Sequence, residues 1–298
     1  MNPPSYRTAS DRETAMEADA RNAEQVEFWN GPGGRHWIKL QEMWDIVLGP
    51  VGMAIFERAA VRPGERVIDI GCGCGGTTIE LGQSVGRTGE VLGLDISAPM
   101  LARAEERRPK GMPIQFLQAD ATTHPLSPGH FDLLFSRFGV MFFAEPARAF
   151  ANLRRGLRPK GRLAFSCFRD SKDNPWMLVP LKAAYEHVPP LPKLGPEDPG
   201  PFAFASEERV RRILGDAGFG AIRMEPVDLA FDLAAGRGLD AAVAATLEIG
   251  ATSRAVDGQP PAVRDAVAAS VRKVLAPYQR GPSVPLPAAL WIVTAINP

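Results

Sequence analysis

Three carboxylates and a run of glycines carry the chemistry that is legible in this chain. Asp69, Asp95 and Asp120 each stand at or beside the carboxyl end of an apolar, strand-like stretch, and Gly71, Gly73, Gly75 and Gly76 follow the first of them directly. Glycines at such a turn let backbone approach a ligand without Cβ interference. The helix that follows aims free N–H groups at an anionic group. The segment therefore reads as a nucleotide cradle. Gly71, Gly73 and Gly76 satisfy G-x-G-x-x-G, and Asp95 lies 19 residues beyond Gly76, which taken at face value is a dinucleotide fingerprint.

The acids discriminate between guests. Asp69 lies two residues before the first glycine, where a pyrophosphate would sit, and at low dielectric a carboxylate there repels it. An ammonium would be attracted instead. Asp95 can accept both hydroxyls of a ribose diol, and Asp120 can accept from an exocyclic adenine amine. S-adenosylmethionine offers all of these groups, with an α-carboxylate and a sulfonium besides. An NAD-dependent oxidoreductase using the same glycine loop stays open as the alternative.

Methyl transfer from a sulfonium needs a base only when the nucleophile is protonated at neutral pH. Of the four histidines, His124 and His130 fall in a Pro/Ser/Gly-rich loop and read as loop residues. His36 and His187, which fall in flanking segments, and Arg137 are the candidates; no catalytic residue is assigned. Cys72, Cys74 and Cys167 are odd in number and include one C-x-C, neither a disulfide framework nor a C-x-x-C zinc spacing. They read as small buried residues, and no metal site is expected.

The 34 basic and 34 acidic side chains cancel, so there is no broad attraction to nucleic acid or to anionic membranes. There is no run of about 18 apolar residues, and the start, 1 to 20, is polar and charged rather than signal-like. A soluble cytoplasmic protein acting on a small molecule is expected. No sequence feature sets an oligomeric state.

Elements that would position these groups alternate. Strands are expected at 67–70, 90–96, 114–120, 131–137 and 162–168, with helices between them, one of them over 146–158. This is the pattern of an α/β, doubly wound parallel sheet. Ahead of it, 1–60 forms an N-terminal helical lid: a frayed start to about residue 20, a helix towards Phe28 and Trp29, a Gly31-Pro32-Gly33-Gly34 break, and a stripe of Trp37, Leu40, Trp44 and Val47. Residues 61–168 form the cofactor-binding core. Between 169 and 205 eight prolines crowd an irregular stretch, read as a substrate cap, with only 176–187 helical. Residues 206–298 return to the core with additional helices (about 238–250 and 262–275) and strands at 222–233 and 286–296. Phe28, Trp29, Trp37, Phe138, Met141, Phe142, Phe168 and Trp176 form the expected pocket wall, apolar and aromatic, suited to a small hydrophobic or aromatic acceptor.

Five ordered segments, Val67 to Gly75, Gly93 to Ser97, Gln118 to Ala121, Phe131 to Ser136 and Leu157 to Leu163, resemble the successive motifs of class I S-adenosylmethionine-dependent methyltransferases. The resemblance is greatest to the group that includes the ubiquinone and menaquinone C-methyltransferases. It implies a Rossmann-like, seven-stranded sheet whose last strand inserts antiparallel beside the fifth. It also implies site roles. Gly71 and Gly73, with Cys72 and Cys74 in the same turn, would approach the methionine moiety, and Asp69 its ammonium. Asp95 would hold the ribose, Ile96 and Met100 would flank adenine, and Asp120 and Ala121 would read its edge. Ser136 and Arg137 would face the methionine end through their backbone. Cys74 and Arg137 depart from the common pattern, and the Arg137 side chain is either a lure for an anionic substrate or half of an outward ion pair.

Overall fold

The computed structural model describes residues 18–195 and 197–298. Four helices lead: α1 (Ala23–Asn30), α2 (Pro32–Lys39), α3 (Gln41–Val47) and α4 (Gly49–Ala59). The alternating core follows as β1 (Arg66–Ile70), α5 (Gly76–Val85), β2 (Glu90–Asp95), α6 (Ala98–Arg107), β3 (Ile114–Gln118), β4 (Phe131–Arg137), α7 (Pro146–Gly156) and β5 (Leu157–Phe168). Then come α8 (Pro175–Ala184), α9 (Glu207–Asp216), β6 (Gly220–Asp232), α10 (Leu239–Glu248), α11 (Gly250–Val256), α12 (Pro261–Leu275) and β7 (Pro285–Ile296).

The seven strands make one sheet in the order β3-β2-β1-β4-β5-β7-β6. β1 to β5 pair in parallel, and β7 runs antiparallel to both β5 and β6. The last strand thus inserts beside the fifth, as the family resemblance implied. Val67, Ile68, Ile70, Leu92, Leu94, Leu133, Leu134 and Phe135 are all buried, because helices cover both faces of these central strands. Strand order reverses between β1 and β4, and at such a switch point the crevice outside the strands' carboxyl ends receives ligands.

Several boundaries differ from expectation. The frayed start lies outside the described residues up to 17, but Asp19 and Asn22 are already buried. Of the expected Gly31-Pro32-Gly33-Gly34 break only Gly31 stays outside a helix, since Pro32 opens α2, where its fixed φ and missing N–H suit a first helical turn. The aromatic stripe is divided between α2 and α3, with Trp44 and Val47 buried and Trp37 and Leu40 packed against the core from outside. β5 begins at Leu157, which pairs with Phe131, rather than at Arg162. α7 ends at Gly156, short of the expected 158, and residues 158–161 bulge out of the β4 pairing, which resumes at Arg162, with Lys160 at a left-handed φ of 62°. There its N–H donates to the Asn297 carbonyl, and the Asn297 N–H donates to the Gly161 carbonyl.

Within 169–205, α8 is the main regular element, and it packs on α11, α12 and β7. α10 to α12 lie between β6 and β7 in the chain, so the cap stretch and the C-terminal helices build one layer. Among the described residues, no helix is long and apolar enough to cross a membrane.

Candidate cofactor and active site

The chain leaves β1 through Gly71, whose φ is 66° and whose Cβ, were there one, would lie 2.6 Å from Gly139 Cα. No other residue fits both conditions. Gly71 N–H and Cys72 N–H donate to the Leu94 carbonyl, pinning the turn against the end of β2. Thr77 and Thr78, in the first turn of α5, each donate a hydroxyl to Asp69 Oδ2 at 2.7 Å. The other oxygen, Oδ1, is buried and has no partner among the described residues. Burial pushes the Asp69 carboxyl up to about 6, against the pull of both threonines and of the Arg137 charge. A buried, half-satisfied carboxylate beside a glycine turn is an acceptor set for a cationic donor.

Asp95, at the end of β2, accepts from the Gly73 N–H at 2.8 Å through Oδ2 and from the Ser97 N–H at 2.9 Å through Oδ1. Burial raises its pKa against these bonds. Each oxygen keeps a further lone pair, enough for a diol. Met100 is buried and its Cε covers Gly73. Asp120 accepts from the Asp19 N–H at 2.9 Å and Asn22 Nδ2 at 2.7 Å on one oxygen, and from the Thr122 N–H on the other. Asn30 Nδ2 donates to the Ile96 carbonyl, Asn30 Oδ1 accepts from the Ala98 N–H, and Ser97 Oγ donates to the Trp29 carbonyl. Residues 19–30 are thus laced across the ends of β2 and β3. Ala121 is buried, its carbonyl held by Asn152 Nδ2.

At the end of β4, Ser136 Oγ donates to the Ile70 carbonyl at 2.8 Å and accepts from the Gly139 N–H at 3.1 Å. The side chain, and not only the backbone, joins the two strand ends. Phe138 follows with a left-handed φ of 68°, a conformation that costs a bulky residue energy and is characteristic of functional turns. Its ring stacks on Phe168 at 4.3 Å. Arg137 turns inward: its guanidinium lies against Gly76 and Gly52, where the charges of Asp45, Glu80 and Asp69 act on it and burial lowers its pKa. An outward ion pair is excluded. Arg107, from the end of α6, donates to the Cys74 carbonyl at 2.6 Å and pairs with Asp45 of α3 at 2.5 Å, tying the lid to the glycine turn.

The expected pocket wall comes together as a relay of rings. Phe28 meets Trp29 at 5.1 Å; Trp29 meets Phe142 at 5.3 Å and Trp37 at 6.3 Å. Trp37 stacks on Trp44 at 5.4 Å, Trp44 meets Trp176 at 6.4 Å, and Trp176 meets Phe168 at 5.4 Å. Met141 is buried nearby in sequence. Trp44 is the link that the sequence reading left to the core stripe, and Thr77, Thr78, Asp45 and Arg107 were missed outright. The threonines had a visible signal, two hydroxyls just past the glycines. Nothing local joins Asp45 to Arg107.

The histidines divide differently. His36 is half-buried in α2, whereas His187 is exposed, with Nε2 2.8 Å from Ser270 Oγ on α12. All three cysteines are free and buried. Burial pushes the Cys74 thiol up to about 12 and raises Cys72 and Cys167 as well, so they stay protonated. Among the described residues, no group of three or more His, Cys, Asp or Glu is placed to hold a metal ion.

This geometry suits S-adenosylmethionine. The unpartnered oxygen of Asp69 is an acceptor of the kind an α-ammonium needs, and each oxygen of Asp95 keeps acceptor capacity beyond its one backbone bond. A pyrophosphate would meet that same oxygen charge to charge.

Comparison with known proteins agrees. Residues 68–165 match a methyltransferase domain family. The ubiquinone/menaquinone biosynthesis C-methyltransferase of Erwinia tasmaniensis is 31% identical over 179 residues, 54% of this chain and 68% of that protein. The Yersinia pestis counterpart is 32% identical over the same length. Among solved structures, phosphoethanolamine N-methyltransferase 2 of Haemonchus contortus, in complex with S-adenosylhomocysteine, aligns over 86% of this chain with a TM-score of 0.53 and 19% identity. This chain spans 56% of that larger one. The [4+2]-cyclase SpnF aligns over 95% with a TM-score of 0.54 and 17% identity, a likeness of fold alone. With the relatives and the sheet order in agreement, the chain belongs to the class I S-adenosylmethionine-dependent methyltransferases.

Proposed function

We propose that this methyltransferase acts on a small, apolar or aromatic acceptor held against the ring relay between Trp29 and Phe138. The observation that carries this reading is the relay itself: it begins in the lid, passes through α3 and α8, and ends on Phe138, directly after the cofactor-side residues Ser136 and Arg137. Balanced charge, 34 basic against 34 acidic side chains, argues for such a molecule over a nucleic acid.

In this reading Asp69 Oδ1 receives the ammonium, oriented by the hydroxyls of Thr77 and Thr78. Gly71 and Gly73, with Cys72 and Cys74, form the floor beneath the methionine moiety. Asp95 takes the ribose diol, Ile96 and Met100 flank the base, and Asp120 and Ala121 meet its edge. Ser136 holds the turn that presents Phe138. The cofactor supplies an electrophilic methyl group on a sulfonium. The protein's contribution is to keep acceptor and methyl aligned at near-attack distance and to exclude water, which the lid over β2 and β3 serves. No side chain is assigned as a base.

The test is transfer of labelled methyl from S-adenosylmethionine to a panel of neutral aromatic compounds, carboxylated analogues of the same compounds, and RNA. Label in the neutral aromatics is the expected result. Label confined to RNA or to the carboxylated analogues overturns the reading.

A further inference from the structure

Among the described residues the Arg137 guanidinium makes no hydrogen bond and no ion pair, although the residue is half-buried at the end of β4. Other well-screened arginines behave differently. Arg107 pairs with Asp45, Arg162 with Glu65 and Arg209 with Glu197. The carboxylates whose charges reach Arg137 are Asp45, Glu80 and Asp69, but none of them contacts it. Asp45 is taken by Arg107 and Gln41, and one oxygen of Asp69 by Thr77 and Thr78. A partly desolvated charge without a partner is costly, and the fold keeps this one beside the cofactor-side turn.

Its position is fixed by two glycines. A Cβ on Gly76 would lie 3.6 Å from Arg137 Nη2, and one on Gly52 would lie 3.9 Å from Nη1. Gly76 is the first residue of α5 and directly precedes Thr77, and no side chain caps that helix. The N–H groups of its first turn therefore lack intrahelical partners. Arg137 and Asp69 also come from neighbouring strands, since β1 and β4 pair with Asp69 opposite Phe135. The next residue goes elsewhere: Phe138 stacks on Phe168. Consecutive residues thus part, Arg137 towards α5 and Phe138 towards the ring relay.

We propose that the Arg137 side chain receives the α-carboxylate at the amino-acid end of S-adenosylmethionine. The inference rests on the methyltransferase reading and deepens it, because that reading gives the ammonium to Asp69 and leaves the carboxylate without a partner. Both groups of an α-amino acid hang on one Cα, so the carboxylate comes to rest within a residue's reach of the ammonium. A guanidinium offers it two parallel N–H donors, and the start of α5 adds backbone N–H groups of the same polarity. An anionic acceptor is the rival claimant. It would have to enter on the α5 side, away from the ring relay, and would leave the amino-acid carboxylate unpaired.

S-adenosylhomocysteine and its decarboxylated analogue, in which hydrogen replaces the carboxylate, are titrated by calorimetry into the dialysed intact chain and into its Arg137 variants. Wild type is expected to prefer S-adenosylhomocysteine by about 10- to 100-fold, as for a charge-assisted pair. Arg137→Gln should bind the two ligands about equally, and the decarboxylated one as tightly as wild type does. Arg137→Lys, which keeps the charge but not the fork, should retain part of the preference. Arg137→Met, uncharged and of similar reach, takes the place of the glutamine variant should that one not fold. A wild type that does not discriminate, a preference undiminished in Arg137→Gln or Arg137→Met, or equal loss of both ligands in a variant with wild-type melting temperature overturns the inference and leaves the methyltransferase reading intact. Wild type that binds neither ligand overturns that reading instead.

Discussion

Replacing Asp69 by Asn should make the ligand-free protein more stable and the cofactor site worse. Asp69 is fully buried, one oxygen is held by two threonine hydroxyls at 2.7 Å and the other by nothing among the described residues. Burial lifts the carboxyl from 3.8 to about 6. At about 1.4 kcal/mol for each tenfold change in proton affinity, the charged form costs the folded state about 3 kcal/mol above pH 6. The sign follows from linkage. The folded state binds this proton more tightly than the unfolded state does, so the contribution is fully present below about pH 4 and is lost as pH rises through 6. An asparagine side chain would keep an oxygen for Thr77 and Thr78 and carry no charge. At pH 8 without ligand the variant should therefore gain up to about 3 kcal/mol, less the mismatch of its amide. In exchange, the amide N–H₂ faces the ammonium, and loss of a charge-assisted bond should weaken S-adenosylhomocysteine by about 10- to 100-fold. Wild-type affinity should fall as pH drops below 6, whereas the variant's should be flat there. Melting curves of dialysed protein from pH 5 to 8, with calorimetric titrations at the same pH values, check both halves. A variant less stable than wild type at pH 8, with undiminished affinity, would refute the reasoning.

Asp95→Ala removes the proposed ribose acceptor and also frees the N–H groups of Gly73 and Ser97. S-adenosylmethionine should bind about 1.5–3 kcal/mol more weakly, with a lower melting temperature; an unchanged dissociation constant would take Asp95 out of the site. Gly139→Ala puts a Cβ 2.5 Å from the Ile70 carbonyl oxygen, which should cost about 1–3 kcal/mol of stability and loosen the glycine turn, measurable as a joint fall in melting temperature and cofactor affinity. With their thiols held protonated by burial, Cys72, Cys74 and Cys167 should react with a thiol reagent at pH 8 only as fast as the protein opens. Rapid labelling of native protein would contradict their placement. Trp37→Ala exposes one face of Trp44 and should reduce turnover more than melting temperature if the stack serves the acceptor. The reverse would make the stack core packing.

The sheet was legible because its strands announce themselves locally: apolar runs such as Val67–Ile70 and Phe131–Phe135, each closed by an acid or a turn, alternate with amphipathic helices. The residues proposed for the cofactor were legible for the same reason, since Asp69, Gly71, Asp95 and Asp120 all lie at or just past strand ends, and topology brings strand ends together. What could not be read depended on contacts between distant segments. Asp120 meets Asp19 and Asn22, about a hundred positions earlier in the chain, and Arg107 meets Asp45; neither pairing leaves a local pattern. Arg137 could be read as an anion lure or an outward ion pair, and only packing beneath α5 shows that it turns in among Asp45, Glu80 and Asp69. The packing of α3 against α8, α10 and α11 was unreadable because a periodic pattern locates helices but cannot dock them. Trp44 accordingly read as one more core aromatic.

The most direct measurement is calorimetric titration of the dialysed protein with S-adenosylhomocysteine and, separately, with NADH. Because the Asp69 carboxylate, two residues before the glycine turn, keeps one buried oxygen unpartnered among the described residues, S-adenosylhomocysteine should bind with a one-to-one stoichiometry and NADH should give no heat of binding. Tight binding of NADH with none of S-adenosylhomocysteine would contradict the assignment of that turn to a sulfonium amino acid.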